Sequence, residues 1–379
     1  MGGVIMVYSA SYIFAQEQYG SSTHFLVRQL IFIFLGLAAM VILARIKFAI
    51  IFKYALVAHL FIAVLILLTF VPGVGISVKG AHRWLSVAGL NLQPGEMLKY
   101  SLILLSAWYF ENFGRLNLKE KTWQILILFF PLILVVRQPD FGAFSICFSV
   151  IAFVCFLSSF PRKLFYSMVG TGAFGILVVL FMAPYRVKRI MTYLDPWKDP
   201  RNAGFQIIQS YLAFAKGAIV GQGIGNSHEK LFYLPEAHND FILSVIGEEA
   251  GFIGVLIVMI AFLMLIYFGF RLAVLVRNKT GSIVVASITF VIGFQAFLNM
   301  GVVLGLLPTK GLNLPFVSYG GSSILANLAA IGILFSAMRA QGALDRVYGL
   351  SASGNINATK NEDGFSQGRM PEVLINFKN

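Results

Sequence analysis

Five ionisable side chains crowd one stretch of this chain: Glu236, His238, Asp240, Glu248 and Glu249 fall within fourteen positions. They stand in Tyr233-Leu234-Pro235-Glu236-Ala237-His238-Asn239-Asp240-Phe241 and in the apolar segment that follows. If helical, the stretch places Glu236 and Asp240 on one face at i, i+4. A carboxylate held partly out of water has a raised pKa and is suited to accept a proton. The competing reading is a capping and anchoring cluster at a lipid boundary. Against it, so many polar groups at such a boundary are expensive.

Three other segments have residue types that could join such chemistry. Lys79-Gly80-Ala81-His82-Arg83-Trp84-Leu85 precedes Gln93-Pro94-Gly95-Glu96 and Lys99. Glycines flank a compact turn, and Trp84 sits where an interfacial ring belongs, so an aromatic anchor followed by a helix start also fits. Lys99 lies inside an apolar segment and needs a partner or a cavity; Glu96, one turn earlier, is the candidate. In Gln138-Pro139-Asp140-Phe141-Gly142, Asp140 either caps the next helix or belongs to a site. The run Leu307 to Ser323 contains Lys310 and Ser318, with Pro308, Pro315 and Gly320-Gly321 interrupting it. Irregular backbone at membrane depth survives only inside protein or against a cavity, which predicts a structured, pocket-lining loop. Gly217, Gly221, Gly223 and Gly225 match neither a P-loop nor a dinucleotide fingerprint and read as a flexible turn cluster. No metal-ligand spacing is present, and Cys147 and Cys155, in one apolar segment, read as packing residues.

The elements that must position these groups are set by composition. Of 379 residues, 58% are hydrophobic and 12% charged, with mean hydropathy +0.81. Soluble domains have about 25% charged residues. The fold class is therefore an all-α integral membrane protein. About ten apolar segments are visible, at 2–14, 29–45, 50–70, 97–112, 123–137, 141–159, 164–183, 243–270, 283–306 and 322–338. The first is short for a span and reads as clipped at its start. Short-loop cations (Arg45, Lys47 and Lys53; Arg115, Lys119 and Lys121; Arg162 and Lys163; Arg271, Arg277 and Lys279; Arg339 and Arg346) fall on one side of a ten-span chain. That side is cytoplasmic and holds both termini. Loops 71–96, 184–242 and 307–321 face outward, the largest lying between helices 7 and 8. Within it, Phe205 to Phe214 is amphipathic and suits the membrane interface. Residues 1–340 form the membrane domain, and the polar tail 341–379 reads as a disordered cytoplasmic segment. The net charge of +13 does not indicate nucleic acid, because no soluble domain presents a basic face. Basic residues on all three outward loops, Lys79, Arg83 and Lys310 among them, suit an anionic ligand at the outer surface.

The motifs resemble those of the SEDS family (shape, elongation, division and sporulation), the membrane peptidoglycan polymerases. Gly225-Asn226-Ser227, Leu234 to Ile242, Gly247-Glu248-Glu249, Pro308-Thr309-Lys310-Gly311 and Phe316 to Ser323 carry the resemblance, which spans nearly the whole chain. Asn226-Ser227 and Thr309-Lys310-Gly311 resemble the division branch more than the elongation branch. Asn239, Gly95, Lys216 and Ala218 depart from the family pattern. The resemblance implies ten transmembrane helices in the bacterial inner membrane at the septum. It also implies a glycosyltransferase that polymerises lipid II at the outer face, with Asp240 as general base. It puts substrate binding on Lys79, Arg83, Trp84, Gln93, Glu96, Lys99, Glu236, His238, Lys310 and Ser318. A divalent cation, Mg or Mn, is the implied cofactor, and the metal ligands are unassigned. The implied partners are lipid II, a class B penicillin-binding transpeptidase and other division proteins. A lipid II flippase and a non-catalytic scaffold are the competing functions.

Overall fold

The computed structural model describes residues 2–78, 81–87, 89–138, 140–182, 184–202, 204–227, 237–308 and 311–340. Every apolar segment falls on helix. In order these are α1 (Gly2–Tyr19), α2 (His24–Arg45), α3 (Phe48–Lys53) with α4 (Ala55–Leu68), α5 (Pro94–Asn112), α6 (Leu118–Arg137), α7 (Phe141–Leu157) and α8 (Arg162–Phe181). After α9 (Pro184–Leu194) and α10 (Phe205–Gly217) come α11 (Ile242–Leu275), α12 (Lys279–Val303) and α13 (Gly321–Ala340). The expected single span at 50–70 is two helices, broken at Tyr54. The amphipathic stretch in the long loop is helical, as α10. Helix starts follow local chemistry. Pro94 opens α5. Asn117 and Glu120 form a reciprocal capping box on α6.

Among the described residues, α2, α11, α12 and most of α13 are long and apolar enough to cross a membrane. On α2, Leu30, Ile31, Phe34, Leu35, Leu37, Val41 and Ile42 are all exposed. A continuous apolar face of that size is costly against water and suits hydrocarbon.

The chain divides into two compact units. The first comprises residues 1–35, 168–267 and 291–327, and the second comprises 36–167, 268–290 and 328–379. In the second unit α5 is the core helix, buried without interruption from Leu98 to Phe110. A helix apolar on all sides belongs at a centre, and α4 and α7 pack on it. The second unit also corrects the all-α expectation. Residues of the 71–96 loop form an antiparallel three-stranded sheet, β1 (Gly75–Val78), β2 (Ala81–Val87) and β3 (Leu90–Leu92), with β2 central. Trp84 pairs with Ile76 and Leu85 with both Gly75 and Leu92. Where a compact turn before a helix was one reading, Arg83 and Trp84 sit on a strand.

In the first unit α11 is interrupted at Gly251, whose φ of 66° and ψ of −166° are not helical. An unbroken helix would bond Phe252 N–H to Glu248 C=O and Ile253 N–H to Glu249 C=O. The segment 218–223 takes the place of both bonds. Phe252 and Ile253 N–H donate to Ala218 and Ile219 C=O at 2.9 and 3.2 Å. Gln222 and Gly223 N–H donate to Glu248 and Glu249 C=O, each at 2.9 Å. The glycine run is thus an ordered insert, with Gly221, Gly223 and Gly225 at positive φ.

Candidate functional site

Asp240 sits half-buried in the first unit, on a turn over residues 237–241 that ends just before α11. The helical placement of Asp240 does not hold, and Glu236 lies outside the described residues. The turn is held on three sides. Asn299 of α12 donates from Nδ2 to the Asp240 carbonyl at 2.8 Å and to the Leu312 carbonyl at 2.6 Å. Tyr319 N–H donates to the His238 carbonyl at 2.9 Å. The His238 ring is buried among Phe14, Phe25 and Tyr319, with centroids 5.7, 4.6 and 5.8 Å away. Gly311 faces the Asp240 carboxylate so closely that a Cβ there would lie 3.1 Å from Oδ2.

The loop between α12 and α13 is packed, as irregular backbone at this depth requires. Leu312, Leu314, Pro315, Ser318 and Gly320 are buried. Ser318 Oγ accepts from Leu314 N–H at 2.8 Å, so the hydroxyl shapes the loop. Gln29 of α2 reads the same loop twice, donating to Ser318 C=O at 3.2 Å and accepting from Gly320 N–H at 3.3 Å. Glu248 and Glu249 are fully buried behind the turn. Glu249 accepts from Ser9 of α1 at 2.6 and 2.8 Å, and Glu248 accepts from Ser227.

The second unit has its own polar cluster, with Asp140 at its centre. Asp140 caps α7, its Oδ1 accepting from Ala143 N–H at 3.0 Å. Its Oδ2 accepts from Gln93 Nε2 at 3.4 Å and lies 3.5 Å from Arg83 Nε. Lys99, almost fully buried, meets Glu96 at 2.8 Å, the expected partner one turn earlier. Burial pushes the Asp140 carboxyl up from its ordinary value, the Arg83 charge and the Ala143 N–H pull it back, and the Glu96 charge adds to the rise. A carboxyl raised in the folded chain binds more protons there than in the unfolded chain. Folding is then weakened as pH rises from the ordinary carboxylate range through the raised value. Asn keeps the cap and has no such titration. The melting temperature of Asp140→Asn relative to wild type should therefore climb as pH rises through that window. A pH-independent difference in detergent melts would contradict this.

Of the residues singled out by sequence, the structure brings His238, Ser318 and Asp240 into one neighbourhood of the first unit. It gathers Arg83 and Gln93 about Asp140 in the second, where Glu96 pairs with Lys99 and Trp84 is half-buried on β2. Lys79, Glu236 and Lys310 lie outside the described residues. Cys147 and Cys155 are buried free thiols, as packing residues should be. Among the described residues no group of three His, Cys, Asp or Glu side chains could hold a metal. Sequence reasoning missed Asn299 and Gln29, and it gave Gly311, though part of a singled-out motif, no role beside Asp240. The signal for the first two was present, since an amide inside an apolar segment requires a partner.

Helices long and apolar enough to cross a membrane, with a half-buried carboxylate on a turn at the head of one of them, define the class: a helical protein suited to a membrane. The chain belongs to the FtsW/RodA/SpoVE family of cell cycle proteins, whose model matches residues 1–342. It is 43% identical over 341 residues to a protein of Geobacter metallireducens described as a probable peptidoglycan glycosyltransferase FtsW, covering 88% of this chain and 90% of that one. It is 35% identical to stage V sporulation protein E of Bacillus subtilis, over 89% of this chain and 93% of that one. Among solved structures, one of a peptidoglycan synthase complex that coordinates polymerisation and crosslinking matches with TM-score 0.68 and 27% identity, over 90% of this chain and 96% of that one. The rod shape determining protein RodA of Thermus thermophilus shares the fold, with TM-score 0.62 and 23% identity over 89% of this chain and 95% of that one.

Proposed function

We propose that the chain is a peptidoglycan glycosyltransferase that polymerises lipid II at the outer face of the inner membrane during septal wall synthesis. The observation that carries this reading is the half-buried Asp240 carboxylate, held at the head of α11 in a family whose relatives are described as peptidoglycan glycosyltransferases. Ten spans follow from the ten apolar segments, and the five groups of short-loop cations then put both termini in the cytoplasm. That topology puts the turn bearing Asp240 outside, where a lipid-linked sugar is available.

Asp240 acts as general base. It takes the proton from the acceptor sugar hydroxyl as that oxygen attacks the donor's anomeric carbon. The bond from that carbon to the lipid diphosphate breaks, and the configuration inverts. The leaving diphosphate needs positive charge, and the outward-loop cations Lys79, Arg83 and Lys310 are assigned to substrate binding with Trp84, Gln93, Glu96 and Lys99. His238 and Ser318 are assigned to substrate binding as well, beside the turn that bears Asp240. Mg or Mn would arrive on the diphosphate, because such ions use one or two carboxylates plus substrate phosphates. A class B penicillin-binding transpeptidase is the partner, a reading supported by the likeness to a synthase complex.

The test is glycan synthesis by the purified chain with its transpeptidase, supplied with lipid II. Glycan strands longer than the starting disaccharide are expected. Lipid II crossing liposome bilayers with no strands formed would instead identify a flippase.

A further inference from the structure

We infer that Asn299 is the positioning residue for Asp240, clamping the turn that bears the carboxylate to the loop that faces it. The inference rests on the reading of Asp240 as the base and adds how that base is held. A carboxamide nitrogen has two hydrogens. Asn299 spends both, one on the Asp240 carbonyl at 2.8 Å and one on the Leu312 carbonyl at 2.6 Å. These carbonyls belong to segments 72 positions apart in sequence, and one side chain ties them together. Gln295, one turn earlier on the same face of α12, donates to the next carbonyl of the loop, Asn313 C=O, at 3.1 Å. The helix therefore grips the loop at two consecutive carbonyls, and from one of the two gripping side chains it also grips the turn.

The orientation of the amide is fixed by what it touches. With the oxygen and nitrogen exchanged, Oδ1 would be pressed against two carbonyl oxygens, all of them acceptors. In the observed orientation Oδ1 is buried with no hydrogen-bond partner among the described residues. A buried acceptor left unpaired is a cost. An apolar side chain of similar size would avoid that cost, and it would also lose the clamp. The clamp has a direct geometric consequence. It sets residues 311 and 312 beside the turn, and Gly311 there lies against Asp240 Oδ2. Fixing the Asp240 carbonyl fixes its Cα, and with it the point from which the carboxylate reaches toward Gly311.

Asn299→Asp has the same shape and turns the donor into an acceptor. The experiment compares the wild type with its Asn299→Asp and Asn299→Gln variants, each with its transpeptidase partner. Amide hydrogen exchange is followed in peptides covering 237–241 and 311–316, with Leu98–Phe110 of α5 as the fold control. Lipid II polymerisation is measured on the same samples. In Asn299→Asp, exchange should rise in both peptides together while α5 stays protected. kcat should fall about tenfold or more, since small misplacements of a catalytic group cost that much, with KM within about twofold. Asn299→Gln, which keeps the donor, should recover part of kcat. Exchange rising in only one peptide, or in neither, overturns the clamp. Both peptides loosening with kcat unchanged overturns the positioning role. If the wild type makes no glycan, the reading of Asp240 as base fails, and the exchange data still decide the clamp.

Discussion

Asp240→Asn should lower lipid II polymerisation by about 100- to 10,000-fold, the range that removal of a general base produces. The substitution is a narrow one. Asn matches Asp in shape, so the contact with Gly311 is kept. The turn is held through backbone carbonyls, Asp240 to Asn299 and His238 to Tyr319, and neither bond involves the Asp240 side chain. The buried carboxylates that tie α11 to its neighbours are Glu248 and Glu249, and they are untouched. Melting temperature, lipid II binding and association with the transpeptidase should therefore match wild type while strand synthesis is lost. Asp240→Glu keeps the charge but pushes it one methylene further toward Gly311, where little room exists, so a partial rate is expected. Wild-type synthesis by Asp240→Asn would remove Asp240 from the mechanism. Rescue of a strain depleted of the natural protein by the same inactive variant would point to a scaffold.

Much of this arrangement was legible in the sequence because it depends on near neighbours. Long apolar runs give helices without help from the rest of the chain. Lys99 needs a partner inside an apolar segment, and Glu96 is one turn away. Asp140 stands directly before a helix and caps it. Features that depend on distant residues were not legible. Nothing near Gly251 signals a break, since the segment that needs the break lies at 218–223. The strands β1 and β3 are short, and the glycines about β2 and its Trp84 read equally well as a turn and an interfacial anchor. Asp240 was found through the density of charge around it and through family motifs. Its holder, Asn299, was passed over although Gln295 and Asn299 are four apart in an apolar segment, a spacing that puts two costly amides on one helix face. Their partners, in the loop that follows, come into reach only once the chain has turned back.

Gly251→Ala should prevent assembly of the first unit, for reasons that involve no catalytic group. At φ 66° and ψ −166° the backbone occupies a region that in practice only glycine enters, and a side chain there costs about 1–3 kcal/mol in strain. Space is also lacking. A Cβ at this position would overlap Ile219 C=O and lie 2.5 Å from Gly221 N, and both are backbone atoms that no rotamer change can move. The helix cannot relieve the conflict by straightening. Closing its own bonds would expel the 218–223 segment and leave Ala218 C=O, Ile219 C=O and the N–H groups of Gln222 and Gly223 unpaired. The strain at Gly251, the overlap with Ile219 and the loss of four hydrogen bonds together are a large fraction of a domain's marginal stability. Gly170→Ala is the control, because a Cβ on that α8 glycine meets nothing within 4 Å. Solubilised Gly170→Ala should elute as a single species with wild-type melting, while Gly251→Ala should aggregate or melt far lower. If Gly251→Ala elutes and melts like wild type, α11 tolerates a side chain at its break and the 218–223 insert does not hold it open.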